Sequence, residues 1–329
     1  MPEKYRRLGD FAAYYSGTKR APILTIFIGG NHEASNYLHE LFYGGWVAPN
    51  IYYLGCSGAV TYRGLRIAGL SGIYKRHDYR AGFHERLPFT EDTKRSIYHV
   101  RAFDVQKLLA LGGGGRPDVF LSHDWPANVQ RFGDQRELLR RKPFFRDEIE
   151  RGDFGSPPGM EILRGLRPRY WFSAHLHVKF AAIVDHDIVD RATEEEGEIN
   201  LDDDEGEIRL DDAKEEMEGP SAIKRPISPS ANNPESKRQR QDVETPHETT
   251  RFLALDKCLP NRDFLQILDL DECSHTTDAP LSYDPHWLAI TKIFHQYLST
   301  TRAQPPLPPK EELQAYAPKP YMERAADVF

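Results

Sequence analysis

Three apolar, β-type runs in this chain each break into a short turn carrying histidine. That repetition constrains the fold more than any other feature. Pro22-Ile23-Leu24-Thr25-Ile26-Phe27-Ile28 leads into Gly29-Gly30-Asn31-His32-Glu33. Val119-Phe120-Leu121-Ser122 leads into His123-Asp124-Trp125-Pro126, and Tyr170-Trp171-Phe172-Ser173-Ala174 into His175-Leu176-His177. Short apolar runs bounded by turn residues read as buried strands. Glycines let backbone approach a ligand closely. An Asn carbonyl oxygen suits a hard or borderline divalent ion, and a neighbouring imidazole can trade a proton with a reacting oxygen. Residues two apart in a strand share a face, so His175 and His177 are expected to reach one site from one edge.

Each piece alone also has an ordinary structural reading, since a lone histidine at a strand end is more often a hydrogen-bonding residue than a ligand. The order Asn-His, His, His-x-His at three strand ends carries the weight. Most other members of the 13 histidines, among them His39, His77, His84 and His99, read as solvated or hydrogen-bonded.

Gly-Asn-His-Glu after a strand resembles the metallophosphoesterase signature, and longer stretches resemble the RNA lariat debranching enzyme family. They include Gly30 to Asn36, Gly44 to Gly55, Ser122 to Pro126, Trp171 to Phe180 and Phe252 to Pro260. The resemblance implies an α/β fold, a metallophosphoesterase-like αββα sandwich of two mixed sheets. It implies hydrolysis of the 2′–5′ phosphodiester of branched intron lariat RNA, in the setting of splicing factors and without a membrane partner. Matched residue by residue, Asn31, His123 and His175 correspond to ligands of one metal (Fe, Zn or Mn) and His177 to a ligand of a second. His32 corresponds to the general acid for the 2′-oxygen leaving group. Residues 71–101 correspond to a lariat-recognition segment, in which Tyr74, Lys75, Arg76, Tyr79 and Arg80 interleave cations with aromatics. Such a surface neutralises phosphates and stacks bases.

The sequence also departs from the family. A complete member opens with a strand ending in Cys-x-His or Asp-x-His, then a strand ending in Gly-Asp whose carboxylate bridges the metals. Neither stands here, and Gly9-Asp10 follows a charged, polar stretch that cannot be a buried strand. Tyr5 to Tyr15 is expected to be a helix with Leu8, Phe11, Ala12 and Tyr15 on one face. Two readings remain at this point: part of an active debranching enzyme, or a shortened, catalytically impaired RNA-binding protein. A general metallophosphatase fits less well, because residues 71–101 and the Trp46 segment match the specialised family.

Charge divides along the chain. Residues 190–218 carry 15 acidic and 3 basic groups, a net of −12 against a total of −7, so the rest carries +5. The acidic run reads as a solvated insert, and a mildly basic remainder is compatible with RNA. The expected organisation is a debranching domain over 1–186, a disordered insert over 187–249 and a C-terminal domain over 250–329. Lys224-Arg225 and Lys237-Arg238-Gln239-Arg240 have the spacing of a bipartite nuclear-import signal, which points to the nucleus. Three cysteines without paired spacing fit a reducing compartment. Further expected elements are helices over 98–111, 137–151, 158–166 and 284–297, and strands over 52–54, 59–62, 65–70, 178–184, 251–255 and 264–270. Gly112 to Gly115 is expected to be a helix stop and flexible turn, since no Lys-Ser or Lys-Thr follows.

Overall fold

The computed structural model describes residues 7–196, 249–270 and 279–313. In chain order the elements begin α1 (Phe11–Tyr15), β1 (Thr25–Phe27), α2 (Ser35–Glu40), β2 (Gly45–Ala48), β3 (Ile51–Tyr53), β4 (Ser57–Tyr62) and β5 (Leu65–Leu70). Next come α3 (Arg76–Tyr79), α4 (Thr93–Ser96), α5 (Ala102–Ala110), β6 (Val119–Ser122), α6 (Gln135–Arg141), α7 (Arg146–Arg151), α8 (Pro157–Leu166) and β7 (Tyr170–Ser173). The chain continues through β8 (Phe180–Asp185), α9 (His186–Glu196), β9 (Thr249–Ala254), β10 (Ser282–Tyr283), α10 (Pro285–Phe294) and α11 (Lys310–Leu313).

The strands form two mixed sheets. One has the order β1-β3-β2 and the other β10-β4-β5-β6-β7-β9-β8. Strands β5, β6, β7 and β9 run parallel, so the loops after β6 and β7 open at the same end. Strand β9 lies between β7 and β8, which places residues on both sides of the insert in one sheet. The period-2 alternation of the strands sorts their side chains onto two faces. Ala68, Phe120, Trp171 and Phe252 face a core built with α5, α8 and α10. Tyr52, Leu54, Val60, Ile67 and Val119 form a second core with Ile26, Ile28, Leu121, Tyr170 and Phe172, between the two sheets. This layering is the α/β sandwich expected from the sequence.

Several boundaries differ, each for a physical reason. Helix α1 covers only Phe11–Tyr15, because Gly9 has φ +56°, outside the helical region, and Leu8 and Tyr15 are exposed. The helix expected from Tyr98 begins at Ala102. Before it, Arg101 is extended and buried, donating to the Asp78 carbonyl (2.6 Å) and the Glu85 carboxylate (2.6 Å). The helix expected over 137–151 is split, because Pro143 cannot donate a helical hydrogen bond. Residues 264–270 have strand-like alternation but form no strand, and Leu265 and Ile267 are exposed. The insert expected to be disordered from residue 187 starts as helix α9, and the remainder, 197–248, lies outside the described residues. The Gly112 to Gly115 stop is borne out: a 3-10 turn spans Leu111–Gly114 and Gly115 has φ +100°. No helix among the described residues is long and apolar enough to cross a membrane.

Val105 and Leu108 face inward on α5, as helical periodicity expects, and two charged residues are buried beside them. Asp104 and Lys107 are both buried. Asp104 accepts from Ser57 Oγ at 2.5 Å, and Lys107 lies over the rings of Trp287, Phe103 and Tyr43 at 4.6, 5.2 and 5.6 Å. Burial pushes the Asp104 carboxyl up and the Lys107 ammonium down, each opposed by the other's charge.

Trp171 is fully buried, stacked on Phe120 at 4.2 Å, with Nε1 donating to Ser122 Oγ at 2.9 Å. Trp171→Ala should lower the unfolding free energy by about 3–5 kcal/mol in urea titration. Trp171→Phe, which keeps most of the ring contact, should cost less.

Candidate metal centre

The site is assembled at the strand ends that the sequence singled out. After β1, the backbone of Gly29 is held in both directions: its N–H donates to Ser71 Oγ (3.0 Å) and its carbonyl accepts from Gly72 N–H (2.8 Å). Ser71 in turn donates to the Gly55 carbonyl at 2.6 Å. The Gly30 N–H donates to Glu33 Oε1 at 3.3 Å. These bonds present Asn31 toward His123, with Asn31 Oδ1 and His123 Nε2 at 3.0 Å. Gly30 is required by contact: a Cβ there would lie 2.5 Å from His123 Cε1.

His123 and His175 stack with ring centroids 4.8 Å apart, which brings the β6 and β7 loops together. His175 and His177 both adopt left-handed backbone, φ +53° and +52°. Non-glycine residues there are strained by about 1–3 kcal/mol each and cluster at functional sites. The two histidines therefore stand in a strained turn and not in the strand alternation expected from sequence, because β7 ends at Ser173.

The imidazoles are electrostatically biased toward neutrality. Burial pushes His123 down to about 4, with the positive field of His175 adding to it and the negative charge of Asp124 opposing it; His32 and His177 lower it further. Burial also pushes His177 down to about 4, reinforced by Lys257, His175, Lys142 and His32. A neutral imidazole is the ligating form. An Asn oxygen, two converging imidazoles and a third imidazole within electrostatic reach, around a glycine that leaves space, fit a divalent metal. His32 is exposed beside them.

The cationic segment is tied to this site at Tyr74, whose backbone N–H donates to Asp124 Oδ2 at 2.6 Å. Lys75 is half-buried, and Arg76 and Arg80 are exposed. Tyr74 is half-buried against Tyr79, ring centroids 5.5 Å apart. Tyr79, expected among the base-stacking aromatics, is buried in the main core and supports Tyr74 from below. The segment is held by a cluster that includes His77 and His99, exposed and hydrogen-bonded respectively as their sequence setting suggests. Asp78 accepts from His99 Nδ1 (2.7 Å), and its carboxylate lies 3.3 Å from His77 Nε2 and 3.9 Å from both Arg101 and Arg302. Burial raises the Asp78 carboxyl, but the His99 hydrogen bond and the Arg101 charge outweigh it and hold it at about 2. His77, Asp78 and His99 have ligand atoms within 4.8 Å of one another. Two guanidinium groups already balance the carboxylate, so the cluster acts as a fastening for the segment. Sequence reasoning also missed Lys142 and Lys257, which reach His177 electrostatically and come from chain segments far apart. The basic clusters at 224–240 lie outside the described residues.

Two outcomes follow for the metal-free protein. The folded pKa of His123 and His177 lies below the ordinary 6.5, so between about pH 4 and 6.5 the unfolded chain binds more protons. Stability should be full above pH 6.5 and fall as the pH drops through that window, with NMR midpoints for both rings near 4. Gly30→Ala should destabilise the fold by about 1–3 kcal/mol, because the added methyl meets the His123 ring. A melting curve unchanged from wild type would contradict that geometry.

Comparison with known proteins gives the family. The sequence family "Lariat debranching enzyme, C-terminal domain" matches residues 247–327. The lariat debranching enzyme of Schizosaccharomyces pombe is 43% identical over 342 residues, covering 94% of this chain and 72% of that protein. Lariat debranching enzyme A of Xenopus laevis is 46% identical, covering 96% of this chain and 48% of that protein. The Homo sapiens lariat debranching enzyme is 46% identical, covering 92% of this chain and 45% of that protein. The chain thus spans about half the length of its vertebrate relatives, and about three quarters of the fission yeast one. With this identity over nearly its whole length, the chain belongs to the lariat debranching enzyme family.

Proposed function

We propose that this chain acts in RNA lariat debranching, as a metal-dependent phosphodiesterase cleaving the 2′–5′ bond at the branch of intron lariat RNA. The observation that carries this reading is the convergence of Asn31 Oδ1 and His123 Nε2, 3.0 Å apart, with His175 stacked on His123 and the cationic segment tied to the same loop through Tyr74 and Asp124. Asn31, His123, His175 and His177 would hold the metal, which suits Mn, Zn or Fe. A divalent ion there would supply positive charge against the phosphoryl oxygens and acidify a water. The protein's own groups do the rest. Lys75, Arg76 and Arg80 neutralise phosphates flanking the branch, and Tyr74 offers a ring edge for a base. Exposed His32 delivers a proton to the departing 2′-oxygen. Lys142 and Lys257 add positive field on the His177 side, which favours a polyanionic substrate.

A synthetic 2′–5′ branched oligonucleotide tests this reading. Chelation should abolish cleavage and added Mn²⁺ should restore it. His123→Ala should lower kcat by at least about 100-fold, within the range of a lost electrostatic contribution. Replacing Lys75, Arg76 and Arg80 together by Glu should weaken branched-RNA binding. It should also flatten the dependence of log affinity on log salt by about 2, at about 0.7 per lost single-strand phosphate contact. Binding that survives with no cleavage under any metal would instead favour a non-catalytic lariat-binding protein.

The basic clusters Lys224-Arg225 and Lys237-Arg238-Arg240 serve in this proposal as a nuclear-import signal, consistent with a substrate made by splicing. Replacing all five by Ala should move a fluorescent fusion from nucleus to cytoplasm, and an unchanged distribution would remove this part of the proposal.

A further inference from the structure

Among the described residues, Asp124 is the carboxylate that touches both halves of the site. It lies directly after His123, and its side chain is largely buried at 15% exposure. Oδ1 accepts a hydrogen bond from His175 Nδ1 at 2.5 Å, and Oδ2 accepts one from the Tyr74 backbone N–H at 2.6 Å. Its own backbone is also fixed. The Asp124 carbonyl accepts from Ser122 Oγ (2.6 Å) and Ser173 Oγ (3.1 Å), so the loop cannot swing away without breaking two further bonds.

Each contact has a chemical consequence. A proton held on His175 Nδ1 leaves the lone pair on Nε2, the tautomer that ligates through Nε2; a carboxylate behind a ligating histidine also raises its basicity. The Tyr74 contact fixes the backbone where the cationic segment begins, one residue before Lys75 and two before Arg76. The carboxylate has two oxygens and two donors, one from each half of the site.

We propose that Asp124 is a positioning residue whose single carboxylate couples the RNA-contacting segment at Tyr74 to the ligating tautomer of His175, so that branched RNA and metal strengthen each other's binding. The coupling rests on the function proposed above, and linkage makes it reciprocal: the factor by which RNA tightens metal is the factor by which metal tightens RNA. Asp124→Asn breaks the arrangement with little change of shape, because an amide offers one acceptor oxygen to two donors. Asp124→Ala breaks both links.

The test uses the whole chain and reads both ends of the carboxylate. In wild type, ¹⁵N NMR of the metal-free protein should find the His175 proton on Nδ1, and the Tyr74 amide should exchange slowly. In Asp124→Ala the Nδ1 tautomer should lose its dominance and Tyr74 exchange should rise at least tenfold; Asp124→Asn should show at least one of these changes. Calorimetric Mn²⁺ affinity should fall by about 10–100-fold in Asp124→Asn. A branched oligonucleotide should tighten Mn²⁺ binding to wild type and not to the variant. If the Ala variant does not fold, the Asn variant decides alone. A folded variant with unchanged tautomer, exchange and RNA-dependence of Mn²⁺ affinity overturns the proposal. If wild type binds neither Mn²⁺ nor branched RNA, the proposed function fails and the coupling fails with it. Wild-type binding of both without mutual strengthening overturns the coupling alone.

Discussion

A buried polar knot at the carboxyl ends of β6 and β7 sets the geometry of everything above it. The Ser122 and Ser173 hydroxyls lie 2.8 Å apart, both near Trp171 Nε1 and the Asp124 carbonyl. Trp125 Nε1 donates to the Ala174 carbonyl at 2.9 Å, and Ala174 N–H donates to the His123 carbonyl at 3.2 Å. The indoles are apolar enough to fill the core, and each spends its one N–H at the ends of these strands. Leaving any of these buried groups unpaired costs about 1–3 kcal/mol, so they move together or not at all. That rigidity holds His123 and His175 stacked.

The cationic segment depends on the site through a different device. Arg101, fully buried, bonds Glu85, the Ser96 carbonyl and the Asp78 carbonyl, while the Asp78 carboxylate also accepts a hydrogen bond from His99 Nδ1. Breaking such a network leaves buried charge without compensation, which is far more costly than losing an exposed ion pair. The exposed cations of the segment thus rise from a stiff base and approach a polyanion with less ordering entropy to lose. Asp78 and Asp124 hold the segment at two points, one facing the core and one facing the histidines.

Strand ends were the legible part of the sequence. Apolar runs into Gly30-Asn31-His32, Ser122-His123 and Ala174-His175 located the loops correctly, because burial of strands leaves a strong periodic signal and function concentrates where strands stop. Boundaries that depend on a single charged residue were not legible. The late start of α5 follows from burying Arg101, and no periodicity signals a buried arginine or the Asp104–Lys107 pair. Tyr79 looked like a stacking residue because its neighbours are cations, yet packing turned it inward.

Sequence by itself determined which residues would stand at the strand ends, the family they belong to, and the division of charge between a basic folded part and an acidic insert. These are local or compositional properties, carried by residue order and by the 2.0 and 3.6 periods of the backbone. Only the tertiary structure decided that Asn31 meets His123, that His175 and His177 stand on left-handed backbone, and that Asp124 faces both Tyr74 and His175. Those partners are 92, 50 and 51 residues apart in sequence. Their meeting depends on the parallel register of β5, β6 and β7, a long-range packing outcome that no local pattern encodes.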